Sequence, residues 1–432
     1  MKIHDLLHQP VVIWGTGREG RAAAQWLARL GHANPLVFLD EASGPSQIEG
    51  LAATHHVARG TEEMRAELAK ARYVIKSPGV SLYHPLIQDA KARGLVVTSL
   101  LSLWAQEPSS ARTILVTGTK GKSTTASLLA HALNALGHRT ILAGNIGLPV
   151  TQVQDANAAF RVIEVSSYQA ADFDGMADIA LVTCLYPEHL DWHGDLATYY
   201  KDKLHLLTCA RLALATKQVQ EAATSAGLEL PSDIQIIDTT TAPEVPGHDY
   251  LSRAHNRSNV AAVLGVIACL EIDRQEALGA MADFRPLPHR QQELGEKNGV
   301  LYVNDSIATT PQSTIAAMQS YQGRPITLIA GGFDRGLDDA PLVQHILSQG
   351  LNALIVMGPS GQRLAQSIGQ HPNAPSICMA QTMASAVELA RRVTPSGGVV
   401  LLSPAAPSYG LFKDFEQRGL CFAREAGFQD AG

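Results

Sequence analysis

The sequence predicts an α/β protein of three successive Rossmann-like, doubly wound domains, the central one organised around a phosphate-binding loop. Three observations predict it. Short apolar runs alternate with helical patterns along the chain. Two of these runs end in glycine-rich turns that open helices, Gly15-Thr16-Gly17-Arg18-Glu19-Gly20 and Gly118-Thr119-Lys120-Gly121-Lys122-Ser123-Thr124. The length, 432 residues, suits two to four domains at about 100–200 residues each.

The first domain is expected over residues 1–107. Val11–Trp14 is its first strand, followed by the glycine turn and an alanine-rich helix, Ala22 to Leu30. Pro35–Leu39 is a strand ending at Asp40, and Tyr73–Lys76 is another, followed by Ser77-Pro78-Gly79-Val80. Gly15, Gly17 and Gly20, with Asp40 further on, satisfy the dinucleotide fingerprint. Physically the pattern specifies only a diphosphate at a helix N-terminus. A nucleotide-diphosphate substrate is the favoured occupant, with a nicotinamide dinucleotide and a purely structural turn as alternatives. Glu107-Pro108-Ser109-Ser110 is a plausible linker.

The second domain is expected over residues 108–285. Ile114-Leu115-Val116 forms the strand before the phosphate loop, and the helix runs from Ser123 to Leu136, stopping at Gly137. The full phosphate-loop pattern has glycine where Val116 stands, so this is the shorter version. Further strands are expected at Thr140–Ala143, Arg161–Val165 and Ile179–Thr183. Glu164, at a strand's carboxyl end, is placed to hold Mg²⁺ beside Ser123, the bland alternative being a solvated strand end. His189 and Asp191 leave the next strand toward the same cleft, although a lone histidine is more often structural. Lys203, on a helical stretch from Leu196 to Cys209, reads on sequence alone as a solvated basic residue. Asn256 and Asn259, placed before an apolar helix Val260–Leu270, suit either a purine edge or helix capping.

The third domain is expected over residues 286–432, with strands at Leu301–Val303, Ile326–Ala330, Ala353–Val356 and Gly398–Leu402. Polar clusters mark strand ends or loops: His289-Arg290, Asn304-Asp305-Ser306, Gly331 to Gly336, and Ser403 to Ser408.

Composition narrows the partners. Net charge is −6 with no basic run, which argues against nucleic acid as the main partner. No apolar segment approaches the roughly 18 residues of a membrane span, and no signal-peptide core is present, so a cytoplasmic protein is expected. The five cysteines lack metal-binding spacing and are expected as reduced, mostly buried thiols.

Taken in order, the Gly118–Thr124 loop, Glu164-Val165-Ser166-Ser167-Tyr168-Gln169, Glu188-His189-Leu190-Asp191, His255–Asn259, Leu287-Pro288-His289-Arg290, Asn304-Asp305-Ser306 and Ser403–Ser408 resemble the Mur ligases. Leu287–Arg290 and Phe415-Glu416-Gln417-Arg418-Gly419 resemble the glutamate-adding branch in particular. The resemblance implies an ATP-dependent amide ligase of peptidoglycan precursor synthesis, acting as a monomer. Its substrates would be UDP-N-acetylmuramoyl-L-alanine and glutamate, joined through an acyl phosphate.

The resemblance also implies roles. Gly118, Thr119, Lys120, Gly121, Lys122, Ser123 and Thr124 would hold the ATP phosphates, and Asn256, Asn259, Arg290 and Asp305 the rest of ATP. Ser123 and Glu164 would bind one Mg²⁺, and His189 with a carbamylated Lys203 a second, making Lys122, His189 and Lys203 the catalytic set. Gly15, Thr16, Gly17, Arg18, Asp40, Ser77, Gly79, Asn145 and His189 would surround the UDP-sugar. Thr309, Arg335, Ser408, Tyr409 and Phe415 would line the glutamate site. Three positions depart from the common pattern: Ile307 and Arg335 stand where lysine is usual, and Tyr409 where leucine is. All belong to the amino-acid site, and exchanging point cations for a single planar fork changes how two carboxylates are gripped. That pattern favours a branch adding L-glutamate, whose product a muramoyl-dipeptide glutamyl epimerase then inverts, over D-glutamate addition. A folylpolyglutamate-type ligase is disfavoured because that class begins with its ATPase domain. A nicotinamide-dependent oxidoreductase and a non-catalytic nucleotide-binding regulator are the remaining alternatives.

Overall fold

Three sheets succeed one another along the chain. The computed structural model describes residues 3–41, 55–146, 149–152, 157–369 and 371–428. The first sheet has strands in the order His55–Ala58, Leu36–Leu39, Val11–Trp14, Tyr73–Lys76, Val96–Ser99, all parallel. The second runs Gln235–Ile237, Ala210–Thr216, Ala177–Val182, Arg112–Thr117, Phe160–Glu164, Thr140–Gly144, again all parallel. The third runs Gln292–Lys297, Val300–Asn304, Val399–Leu402, Ile326–Gly331, Ala353–Met357, Ser376–Met379. Its first pair is antiparallel, so this sheet is mixed rather than purely doubly wound.

Parallel strands need crossovers, and the crossover helices cover both sheet faces. The burial pattern follows that rule. Ile114 and Val116 of one strand pack on Leu128, Leu129 and Val260 on one side of the second sheet. Leu115, between them in sequence, faces Tyr199, Leu204 and Leu207 on the other. The third sheet divides likewise, with Leu328 and Leu401 in one cluster and Ile329 and Leu402 in another.

The first two sheets share one compact unit, Met1–Phe284, and the third forms a second, Arg285–Gly432. Within the first unit the sheets are joined by a buried ion pair, Lys76 Nζ to Asp172 Oδ2 at 2.7 Å.

Several boundaries differ from the sequence expectation. The first-domain helix begins at Arg18, inside the glycine turn, because a helix N-terminus there directs its N–H groups into the loop. The apolar helix expected at Val260 begins at Ala254, so Asn256 and Asn259 lie within its first turns and neither caps it. Cys209 alone of the five cysteines is buried; the others are half-buried, and none is disulfide-bonded. No helix among the described residues is long and apolar enough to cross a membrane.

The second unit depends on one buried cation. Arg418, 2% exposed, donates to Ser306 Oγ (3.0 Å), Ser306 O (2.6 Å) and Ala406 O (3.0 Å), tying the Phe415–Ala426 helix to two strand-end loops. Replacing Arg418 with Met strands these acceptors at roughly 1–3 kcal/mol each. Scanning calorimetry of Arg418→Met should therefore show a transition lowered by several degrees in the third-sheet unit; an unchanged thermogram would contradict this role.

Candidate active site

Ligands of open α/β sheets bind where neighbouring strands' crossovers leave in opposite directions, at the strands' carboxyl ends. In the second sheet that place lies beyond Arg112–Thr117, flanked by Phe160–Glu164 and Ala177–Val182. The phosphate loop leaves the middle strand here. Gly118 has φ +147° and a Cβ on it would lie 2.0 Å from Thr183 Oγ1; Gly121, at φ +79°, would meet Asn259 Oδ1 at 2.4 Å. No side chain fits either position, so the loop backbone is free to approach an anion closely.

The loop is pinned on several sides. Thr119 N–H donates to Cys184 O at 2.7 Å. Thr183 Oγ1 donates to Lys120 O at 2.7 Å, and Thr119 Oγ1 lies 3.0 Å from the buried Tyr199 hydroxyl. Lys120 Nζ is paired with Glu188 at 2.7 Å, and Lys122 Nζ donates to Thr119 O at 3.1 Å. From the Leu196–Thr208 helix, Lys203 Nζ donates to Gly118 O at 2.8 Å. Lys203 is 1% exposed, not solvated. Burial, reinforced by the Lys122 cation, holds its amine well below the usual lysine range. Burial lowers Lys122 as well, opposed by Glu164 and Glu188. Burial alone would raise Glu188, but Lys120 holds its carboxyl below the usual range.

Glu164 is 1% exposed at its strand end and is likewise not solvated. Its Oε1 accepts from Asn145 Nδ2 at 2.8 Å, while Oε2 is buried with no hydrogen-bond partner among the described residues. No group of three or more His, Cys, Asp or Glu side chains that could hold a metal occurs among those residues. Mg²⁺ needs no such group, because it takes one or two carboxylates and completes its shell with water and substrate phosphates. The Glu164 oxygen without a partner among the described residues is a carboxylate of the kind such an ion takes. His189 starts the short Leu190–His193 helix at φ +56°, and its Nδ1 lies 2.9 Å from the Tyr168 hydroxyl. The Asp191 side chain lies outside the described residues.

The first sheet has an equivalent crevice between Val11–Trp14 and Tyr73–Lys76. Gly15 and Ser77 face each other there: a Cβ on Gly15 would sit 2.5 Å from Ser77 Oγ, a buried hydroxyl with no partner among the described residues. Gly20 packs against Gly15, where a Cβ would meet the Gly15 carbonyl oxygen at 1.9 Å. Thr16 Oγ1 donates to Asp40. Gly17 and Gly79 lie on the two loops leaving these strands, and Arg18 is the first residue of the helix that follows Gly17. Asn256 and Asn259 are spent on protein contacts: Asn256 Nδ2 reaches Tyr250 O (2.9 Å), and Asn259 bonds both Asn256 (3.1 Å) and Thr125 of the phosphate-loop helix (3.2 Å).

In the second unit, Asp305 accepts from Gln291 N–H (3.1 Å) and Ser403 Oγ (2.7 Å), and burial pushes its carboxyl up to about 7. Arg290 is close enough to lower it. The Arg335 guanidinium lies over the Tyr409 ring at 5.9 Å, and Tyr409 meets Phe333 edge-on at 6.4 Å. Arg335 and Tyr409 are thus neighbours in space. Ser408 is buried, Thr309 half-buried, and the Phe415 carbonyl accepts from Ser306 Oγ at 2.7 Å. Sequence reasoning gave no role to Glu188, Tyr199 or Arg418. Glu188 and Arg418 stood inside quoted motifs, but only folding shows them buried and paired.

Comparison with known proteins gives these crevices a context. Residues 9–99 match the MurD-like Mur ligase N-terminal domain, 116–221 the Mur ligase middle domain, and 289–406 the Mur ligase glutamate ligase domain. A UDP-N-acetylmuramoyl-L-alanine–L-glutamate ligase of a Micromonospora species is 38% identical, covering 98% of this chain and 97% of that protein.

This chain belongs to the Mur ligase family.

A second such ligase, from Xanthomonas euvesicatoria pv. vesicatoria, is 39% identical over 100% of this chain and 98% of that protein. Among solved Mur ligases, the UDP-N-acetylmuramate–alanine ligase of Thermotoga maritima superposes with a TM-score of 0.60 at 16% identity, covering 96% of this chain and 99% of that one. This likeness concerns the fold: both are three-domain α/β Mur ligases.

The buried Lys203 has a pH signature. Its folded pKa lies below the unfolded value of about 10.4, so between the two the unfolded chain binds the extra proton and stability rises with pH. In bicarbonate-free buffer, urea denaturation of Lys203→Met should show a shallower rise in stability toward alkaline pH than wild type. Parallel pH profiles would contradict the lowering of this buried amine by its surroundings.

Proposed function

We infer that this chain is an ATP-dependent ligase that joins L-glutamate to UDP-N-acetylmuramoyl-L-alanine in the making of peptidoglycan precursors. The observation that carries the reading is the gathering of the phosphate loop, Glu164 and Lys203 around the carboxyl end of one sheet, in a chain matched end to end by L-glutamate ligases. A carboxylate is a poor electrophile. Transfer of the γ-phosphoryl group to it gives an acyl phosphate and ADP. The glutamate amine then attacks the acyl carbon, and phosphate leaves with one former carboxylate oxygen.

The residues divide that work. The Gly118–Thr124 amides and Lys122 hold and align the ATP phosphates. Ser123 and Glu164 would hold one Mg²⁺, and His189 with a carbamylated Lys203 a second. Magnesium, when bound, offsets the repulsion between two anions brought together. A lysine amine held in a dry site is the nucleophilic form that carbon dioxide requires, and carbamylation turns it into an anion suited to a cation. The Gly15–Arg18 turn, Asp40, Ser77, Gly79, Asn145 and His189 would bind the UDP-sugar. Arg290 and Asp305 would act on ATP, and Asn256 and Asn259 indirectly, Asn259 by buttressing Gly121 and Asn256 by holding Asn259. Thr309, Arg335, Ser408, Tyr409 and Phe415 would receive glutamate. The Tyr409 ring lies under a planar Arg335 cation where the resemblance has lysine, and the L-glutamate ligases that match this chain support L-glutamate as the amino acid. A monomer suffices for this arrangement, and the L-configured product would pass to a glutamyl epimerase.

Incubation with ATP, Mg²⁺, UDP-N-acetylmuramoyl-L-alanine and either glutamate enantiomer tests the reading by phosphate release and product mass. Turnover is expected with L-glutamate; turnover with D-glutamate alone would overturn the stereochemical assignment. Lys122→Ala should lower kcat by about a hundredfold or more, and full turnover in that variant would remove the phosphate loop from catalysis.

A further inference from the structure

The Leu196–Thr208 helix carries two adjacent buried side chains that reach different sheets. Lys203 bonds the Gly118 carbonyl of the phosphate loop at 2.8 Å. Asp202, the residue before it, reaches the loop that follows Tyr73–Lys76 in the first sheet: Tyr83 donates its hydroxyl to Asp202 Oδ1 at 2.8 Å. The other carboxylate oxygen, Oδ2, is bonded by His193 Nδ1 at 2.6 Å, with the His193 side chain fully buried. Tyr83 and His193 thus engage both carboxylate oxygens of Asp202, one each.

His193 lies four residues beyond His189 on the same short segment, whose neighbours are fixed from both sides. The Tyr168 ring stacks on Trp192 at 4.8 Å and lies 5.8 Å from His193, and its hydroxyl lies 2.9 Å from His189 Nδ1. From the first sheet, Ser81 Oγ donates to Trp192 O at 2.9 Å and Lys76 Nζ lies 5.5 Å from the Trp192 ring. The loop bearing Ser81 and Tyr83 is the continuation of Ser77 and Gly79. Its Ser81 and Tyr83 hydroxyls end on the two segments that carry His189 and Lys203.

We propose that Tyr83, Asp202 and His193 form a positioning chain through which occupancy of the first-sheet crevice by the UDP-linked substrate fixes the placement of Lys203 and His189 beside the phosphate loop. None of the three touches reacting atoms; they are positioning residues. Binding at Ser77–Gly79 orders the loop through Tyr83, Tyr83 holds Asp202, and Asp202 sets the rotation of the helix that presents Lys203. The inference rests on the ligase reading for the identity of the substrate.

Hydrogen–deuterium exchange of the full chain, with and without UDP-N-acetylmuramoyl-L-alanine and without ATP, tests the coupling. In the wild type the substrate should protect amides of residues 77–84 and also of 196–208. In Tyr83→Phe, where only an oxygen on a half-exposed ring is removed, protection at 77–84 should persist and protection at 196–208 should disappear. In turnover assays, Tyr83→Phe and Asp202→Asn should each lower kcat about tenfold, the scale of one charge-assisted hydrogen bond, with the KM for ATP unchanged. Asparagine offers one acceptor oxygen where both neighbours donate, so it breaks the chain without changing its volume. The double variant should be no slower than the slower single, since both break one chain. Protection at 196–208 that is absent in the wild type, or unchanged in Tyr83→Phe, would overturn the proposal, as would additive losses in the double variant. A wild type that binds the substrate but makes no product with either glutamate would defeat the ligase reading alone, because the exchange arm still decides the coupling.

Discussion

The buried Lys203 amine, bonded to the Gly118 carbonyl, is the contact on which the central site depends. It places a basic group inside the protein against a loop whose glycines leave no room for side chains. Removing that amine from water is costly, and burial shifts it toward the neutral form. Such a cost is tolerated where the group has work to do. Lys122, Glu188, Cys184 and Glu164 act on it electrostatically, so the phosphate loop, the strand-end carboxylate and the helix-borne lysine form one electrostatic unit.

Much of this was legible in the sequence because it rests on backbone rules. A glycine-rich turn between an apolar run and a helix gave the phosphate loop, and Glu164 was marked by its place at the end of an apolar strand. The strands at Tyr73–Lys76 and Val399–Leu402 were visible as short runs of β-branched and apolar residues. Val96–Ser99 and Ala210–Thr216 went unnamed although both carry apolar runs, and elements without such runs escaped altogether. His55–Ala58 and Gln292–Lys297 are polar sheet-edge strands, stabilised by pairing with an inner strand rather than by their own composition. Lys203 could not be told from a solvated lysine until its helix was packed, since spacing alone does not say which face is covered. Asp202 and Glu188 escaped for the same reason: a buried carboxylate is revealed by its partners, and those lie 119 and 68 residues away in sequence.

The glutamate side obeys a different logic. Asp305 and Arg418 are buried and heavily bonded, so that end of the third sheet is rigid. The exposed Arg335, Tyr409 and Phe333 sit on loops at the sheet's carboxyl edge, where residues change without disturbing the core. A family can therefore keep its activation chemistry while altering which amino acid it accepts. Here the Arg335 guanidinium lies over the Tyr409 ring, so the two positions are better understood as one site than as two.

The central claim is that the substrate carboxylate is activated by direct phosphorylation at the phosphate-loop crevice. Oxygen tracing tests it most directly. UDP-N-acetylmuramoyl-L-alanine labelled with ¹⁸O in its terminal carboxylate would be turned over with ATP and L-glutamate, and the released phosphate weighed by mass spectrometry. The account predicts one labelled oxygen in each phosphate formed, because the carboxylate oxygen that takes the phosphoryl group leaves with it. Unlabelled phosphate accompanying full product formation would contradict it.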